Sequence, residues 1–86
     1  MIPRIKELKT LDDYILYVVF DDGKIVEYDV KDDIDQIESY RALREEYGLF
    51  KHVMLDQSRT CVYWNDEIDL PSDMIYEYGK EIESVN

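Results

Sequence analysis

One cysteine, two prolines and three glycines are all that an 86-residue chain offers of the residues that staple or punctuate a backbone. A lone Cys61 closes no internal disulfide, so a reducing compartment, the cytoplasm, is the expected setting. Gly23, Gly48 and Gly79 lie too far apart to form a phosphate-cradling loop. One cysteine and one histidine, His52, cannot fill a structural zinc site. No apolar run approaches the roughly 20 residues that cross a bilayer. The opening Met1-Ile2-Pro3-Arg4-Ile5-Lys6-Glu7 has no hydrophobic stretch of signal-peptide type. The chain is expected to bind no membrane, no metal and no cofactor.

Positive charge is scarce as well. Lys and Arg number 10 against 21 Asp and Glu, a net charge of −11. Nucleic acid is held non-specifically by basic groups that neutralise phosphates, and the nearest thing to a basic run, Arg4/Lys6/Lys9, is diluted by Glu7. Direct binding to DNA or RNA is therefore disfavoured. A basic protein would instead be attracted and steered. Solubility alone is the plain alternative explanation of such charge.

What the chain has is bulk. Hydrophobic residues make up 45% and there are 8 tyrosines, enough to reject a disordered reading despite 36% charged residues. The length fits one domain, residues 1–86, with a modest core.

Pattern supplies the elements. Residues 4 to 10 read as a strand with Pro3 at its start. Asp12-Asp13 marks a turn, and Tyr14 to Phe20 is a β-branched and aromatic strand with both faces apolar, which predicts cover on each side. Asp21-Asp22-Gly23-Lys24 carries a hairpin signal, and Ile25 to Val30 alternates, with Val26, Tyr28 and Val30 on one face. Lys31 to Asp35 begins a helix on which Ile37, Tyr40, Leu43 and Tyr47 recur at helical spacing, with Gly48 as its stop. Residues 49 to 55 and 60 to 65 read as a second hairpin about the turn at Asp56–Arg59. The segment Ile68-Asp69-Leu70 is too short to assign. After Pro71, Ser72 or Asp73 is placed to cap a last helix with Ile75, Tyr78 and Ile82 on its apolar side, weakened or ended early by Gly79. The order predicts an α+β fold: two antiparallel hairpin or meander regions, one helix between them, a C-terminal helix, and helices on one face of the sheet.

Catalytic groups are few. In the expected hairpin His52 lies opposite Tyr63 or Trp64 and Cys61 opposite Met54 or Leu55, roughly 7 Å apart along the strands. That exceeds the ~3 Å at which a base takes a nucleophile's proton. Cys61 reads as a small buried hydrophobe and His52 as a partly exposed residue. The run from Asp29 to Asp35 lacks the glycine and distal glutamate of a calcium loop. With so many carboxylates some pair is always close, so proximity alone points to no acid–base chemistry. No enzyme is expected.

The order Asp13-Tyr14-Ile15-Leu16, Phe20-Asp21-Asp22-Gly23, Leu43, Leu49-Phe50 and Val53-Met54-Leu55-Asp56 resembles the small prokaryotic family called domain of unknown function 2442. Val62-Tyr63-Trp64-Asn65 running into Ile68-Asp69-Leu70-Pro71-Ser72-Asp73 and Ile75-Tyr76-Glu77 completes the likeness, which spans about residues 5 to 78. The resemblance implies an α+β fold and no established enzymatic activity. Some members carry a helix-turn-helix domain after this module and some are encoded beside a small toxin-like protein, which implies an antitoxin-like or regulatory context. The appended DNA-binding domain is expected to be absent from this chain. Trp64 is read mainly as core, Asn65 as a turn support and Leu70 as a dock for the last helix. A contact role is weighed for Trp64, Asn65, Asp69, Tyr76 and Tyr78, the last two because they point to different faces of one helix.

Together these features predict a non-catalytic protein-binding module, antitoxin-like or regulatory, whose partner is a small basic toxin-like protein. Two other readings compete with it: a small-ligand sensor with an aromatic-lined pocket near Trp64, and an acidic mimic of nucleic acid. A homodimer through an exposed edge strand is a further expectation.

Overall fold

The computed structural model describes residues 2–82. Its order is β1 (Ile5–Leu11), β2 (Ile15–Phe20), β3 (Ile25–Asp29), α1 (Lys31–Gln36), α2 (Ala42–Glu45), β4 (Met54–Leu55), β5 (Cys61–Tyr63), β6 (Asp69–Pro71), α3 (Ser72–Tyr78) and β7 (Lys80–Ile82). Short 3-10 turns occupy Glu38–Arg41 and Leu49–His52. The strands form two antiparallel sheets, ordered β1-β2-β3-β7 and β4-β5-β6. The fold is α+β.

The β2–β3 hairpin follows its turn chemistry. Gly23 takes φ 94°, which a side chain disfavours, and Asp22 Oδ1 accepts the Lys24 amide at 2.9 Å. The β1–β2 turn has no glycine, yet Asp13 and Tyr14 both adopt positive φ, 66° and 61°. Neighbours hold that disfavoured geometry. Lys31 Nζ donates to the Asp13 carbonyl and to its carboxylate, each at 2.8 Å, and the Val30 amide donates to the Tyr14 carbonyl at 3.0 Å.

Alternation along β2 and β3 splits the large sheet into two unlike faces. Leu16, Val18, Phe20, Val26 and Tyr28 are buried on the inner face, with Ile5 from β1. Ile34 of α1, Ile75 of α3, and Val62, Trp64 and Leu70 of the small sheet join them in one core. Ile15, Tyr17 and Val19 on the other face stay half-buried, so the strand predicted to be covered on both sides is covered on one.

The helix predicted through Tyr47 is broken. Ile37 leaves helical geometry (φ −108°, ψ 116°), and the chain restarts as a 3-10 turn and then α2. Two buried tyrosines explain the change of direction: Tyr28 donates its hydroxyl to Asp33 Oδ2 at 2.7 Å, and Tyr40 donates its own to the Asp69 carbonyl. Each fixes its piece to a different part of the core. Tyr40 and Leu43 are buried, as the helical spacing required, but Ile37 is exposed and Tyr47 fully so. Gly48 does terminate the segment, at φ 77°.

Residues 49 to 55, expected as one strand, are a 3-10 turn followed by the two residues of β4. The strand is cut short because Phe50 turns inward to stack on Trp64, whose indole N–H donates to the Phe50 carbonyl at 2.9 Å. The unassigned 68–70 segment supplies β6, pairing Leu70 with Val62. Ser72 does not cap α3; its buried hydroxyl donates to the Pro3 carbonyl at 2.6 Å, and Asp73 Oδ1 accepts the adjacent Met74 amide. α3 ends before Gly79, and Lys80–Ile82 turns back to pair with β3 instead of extending the helix. Gly79 has an ordinary φ, but a β-carbon there would collide with Val26 Cγ1.

Arg59 joins the two sheets. Its guanidinium makes a two-pronged pair with Asp21, both contacts at 2.9 Å, and its carbonyl accepts the Ile5 amide at 2.8 Å. Beside it, the Ser72 amide donates to the Thr60 carbonyl at 2.9 Å.

Candidate interaction groove

Three segments far apart in sequence meet along one groove of about 1090 Å³: Ile2–Arg4 before β1, Phe20–Asp22 leading into the β2–β3 turn, and Asp73, Tyr76 and Glu77 on α3, with Thr60 completing the wall. It is larger than the concavities of about 260 Å³ against α1 and α2 and about 320 Å³ around Tyr47 and Gly48. The Arg59 and Ser72 bonds also set its width, because they hold Ile5 against the β4–β5 turn and Pro3 against the start of α3.

Tyr76 is the floor's organising residue. Its ring meets Phe20 edge-on at a centroid distance of 4.9 Å, and Lys24 Nζ sits 3.9 Å from the ring centroid on the way to the Tyr76 carbonyl. Aromatic pairs favour that T-shaped contact, and a cation over the ring adds attraction. The Tyr76 hydroxyl donates to Asp22 Oδ2 at 2.6 Å. Receiving that bond, and the Lys24 amide, holds the Asp22 carboxyl below its ordinary range, while the bond to a carboxylate pushes the Tyr76 phenol up. Asp22 therefore stays charged at neutral pH.

Four carboxylates, Asp21, Asp22, Asp73 and Glu77, line this groove against one arginine, Arg4. Arg59 takes Asp21. Asp22, Asp73 and Glu77 form no ion pair among the described residues. A half-buried tyrosine that already carries Lys24 on its ring, beside a negative rim, suits the aliphatic stem and charged head of arginine or lysine.

The residues singled out from sequence divide sharply. Tyr76 lies in the groove and Tyr78, 71% exposed, points away from the core, so the two do occupy different faces of α3. Trp64 lies in the core. It is 6% exposed, stacked on Phe50 at 5.9 Å and flanked edge-on by Tyr40 at 6.3 Å, so it offers a partner almost no surface, and none of the three concavities includes it. Asn65 Oδ1 accepts the Glu67 and Ile68 amides at 2.8 and 3.0 Å, the support of a tight turn. Asp69 is exposed, and its backbone carbonyl serves Tyr40. Phe20, Asp22, Asp73 and Glu77 were not picked out as site residues. Only their charge or bulk marked them, and neither singles out a site in so acidic a chain.

The expected register of the small hairpin shifts. Met54 pairs with Tyr63 and Leu55 with Val62, so Cys61 faces Asp56, four residues along the chain from exposed His52. Cys61 is half-buried rather than buried, and burial pushes its thiol up, away from the reactive thiolate. Among the described residues no group of three or more His, Cys, Asp or Glu is arranged to hold a metal ion, and no helix is long and apolar enough to cross a membrane.

The family described as Protein of unknown function (DUF2442) matches residues 5–81. The chain belongs to this family. No curated protein and no solved structure matches it.

Proposed function

We propose that this member of the DUF2442 family is a non-catalytic protein-binding module that takes a basic segment of a partner protein in the groove beside Tyr76. The observation that carries the reading is the half-buried Tyr76, backed by the buried Phe20, beside Asp22, Asp73 and Glu77, three carboxylates in no ion pair among the described residues. The chain's net charge of −11 would steer such a partner toward it. A small basic toxin-like protein, neutralised as an antitoxin neutralises its toxin, has the matching chemistry. Cytoplasmic residence fits the same reading, since the one cysteine is a free thiol.

The test is titration with a labelled peptide that alternates arginine with apolar residues, at low and at moderate salt. Binding that weakens with salt is expected. It should fall at least tenfold in the Asp22→Asn/Asp73→Asn/Glu77→Gln variant. A control of equal net charge, Glu38→Gln/Glu45→Gln/Asp66→Asn, alters exposed acidic residues outside the groove and should bind as the parent does. Equal losses in both variants, or no binding at low salt, would reject the groove as the site.

A further inference from the structure

The outer face of the large sheet is unlike a solvent face. Register places three rows of side chains across it: Glu7, Val19, Ile25 and Ile82; Lys9, Tyr17, Glu27 and Lys80; Leu11, Ile15 and Asp29. Every buried residue of that sheet lies on the opposite, inner face. An antiparallel sheet open to water usually alternates to polar residues on that side. Six of these eleven positions instead carry Leu, Ile, Val or Tyr, and Leu11 is 39% exposed.

The charge on this face is as unusual as its apolarity. It holds three carboxylates and two lysines, a net −1 in a chain of net −11. Asp29 is further paired with Lys31 at 3.1 Å, which leaves Glu7, Lys9, Glu27 and Lys80 in balance. Two copies of so acidic a chain repel over most of their surface. Here they can approach without opposing large like charge. The β1 edge of the sheet is less inviting: β1 is irregular between Ile5 and Glu7, its first amide is taken by Arg59, and Pro3 precedes it, all devices that blunt strand pairing.

We propose that this outer face is where a second copy of the chain docks, sheet on sheet, in a two-fold dimer. Such sheets pack about 10 Å apart with interdigitating side chains. A two-fold axis running across the strands between the first two rows sets Glu7 of each copy over Lys9 of the other, and Val19 over Tyr17. In an isologous contact each such pair occurs twice. Lys9 already lies beside Tyr17, its Nζ 5.9 Å from the ring centroid, so its charge stands at the margin of the apolar patch. This surface is separate from the groove, and the dimer does not depend on what the groove binds.

Sedimentation of the full chain from micromolar to near-millimolar concentration should show the mass rising from one chain to two. Val19→Asp should remain monomeric throughout, with an unchanged circular dichroism spectrum. The exposed pair provides a second arm that does not risk the fold. Glu7→Lys and Lys9→Glu should each weaken the dimer at least tenfold, and the double exchange should restore it. General charge repulsion predicts the opposite for Glu7→Lys, since that change makes each chain less negative. A parent that stays monomeric over the whole range, or a dimer indifferent to Val19→Asp and strengthened by Glu7→Lys, overturns the proposal. The groove variants should dimerise as the parent does.

Discussion

Gly79 lies against Val26 with no room between them for a β-carbon, and the same β-carbon would stand 2.7 Å from the Ile75 carbonyl oxygen. The glycine is there for space, since its backbone angles suit any residue. It lets the chain leave α3 and enter β7 directly against β3. Gly79→Ala should cost on the order of 1–3 kcal/mol, the usual scale of overpacking, read from urea unfolding. Paired with Val26→Ala, the two losses should sum to more than the double variant shows, because the truncated valine makes room for the new methyl.

The Tyr76–Asp22 contact should show in titration. Asp22's folded value is lowered, so its contribution is complete above the carboxylate range of an unfolded chain and is lost as pH falls through that lowered value. Tyr76's value is raised, so its contribution is complete below the ordinary tyrosine range and is lost as pH rises through the raised value. Carboxyl chemical shifts should place the Asp22 midpoint below 3.8, and Tyr76→Phe should move it upward. No movement would mean that the hydroxyl does not hold that carboxylate.

Much of the large sheet was legible because its signals are local. Asp22-Gly23 fixes the turn, the turn fixes the register, and alternation at Val26, Tyr28 and Val30 fixes the inner face. The unforeseen parts depend on distant partners. Ile37 and Tyr47 fit a helical stripe by spacing, yet Tyr40's reach to Asp69, 29 residues on, bends the segment away from it. β6 and β7 have three residues each, and both are strands because Val62 and Val26 present edges to pair with. The groove was the least legible feature. The opposed faces of Tyr76 and Tyr78 followed from helical spacing, but Phe20, Asp22 and Asp73 become neighbours only after the chain has closed on itself.

Tyr40 should govern part of the alkaline limit of stability. Burial, with the charges of Asp33 and Asp69 nearby, pushes its phenol up to about 12. A raised folded value means that the contribution is whole below the unfolded value of 10.0 and is lost as pH climbs through about 12. Unfolding free energy measured between these limits should fall more steeply in the parent than in Tyr40→Phe, whose neutral ring has no proton to lose. The difference should be on the order of 2 kcal/mol. Parallel curves would show that Tyr40 ionises as freely folded as unfolded.

Trp64→Phe should cost about 1 kcal/mol for the lost bond to the Phe50 carbonyl, plus the lost contact area of the larger ring. Trp64→Ala should remove ~3–5 kcal/mol, much of the stability of a domain this size. Thermal melts of both variants check the order. A Trp64→Ala chain as stable as the parent would mean that the ring is not the core element its burial indicates.

The only indole in the chain lies in the interior, stacked on Phe50 and apart from both the groove and the outer sheet face. Its emission is thus a gauge of internal cohesion, bright or quenched according to whether that stack survives. Events at either surface should leave it dark to change, so encounters with a partner must be watched through a label placed elsewhere, while loss of the fold can be followed with no label at all.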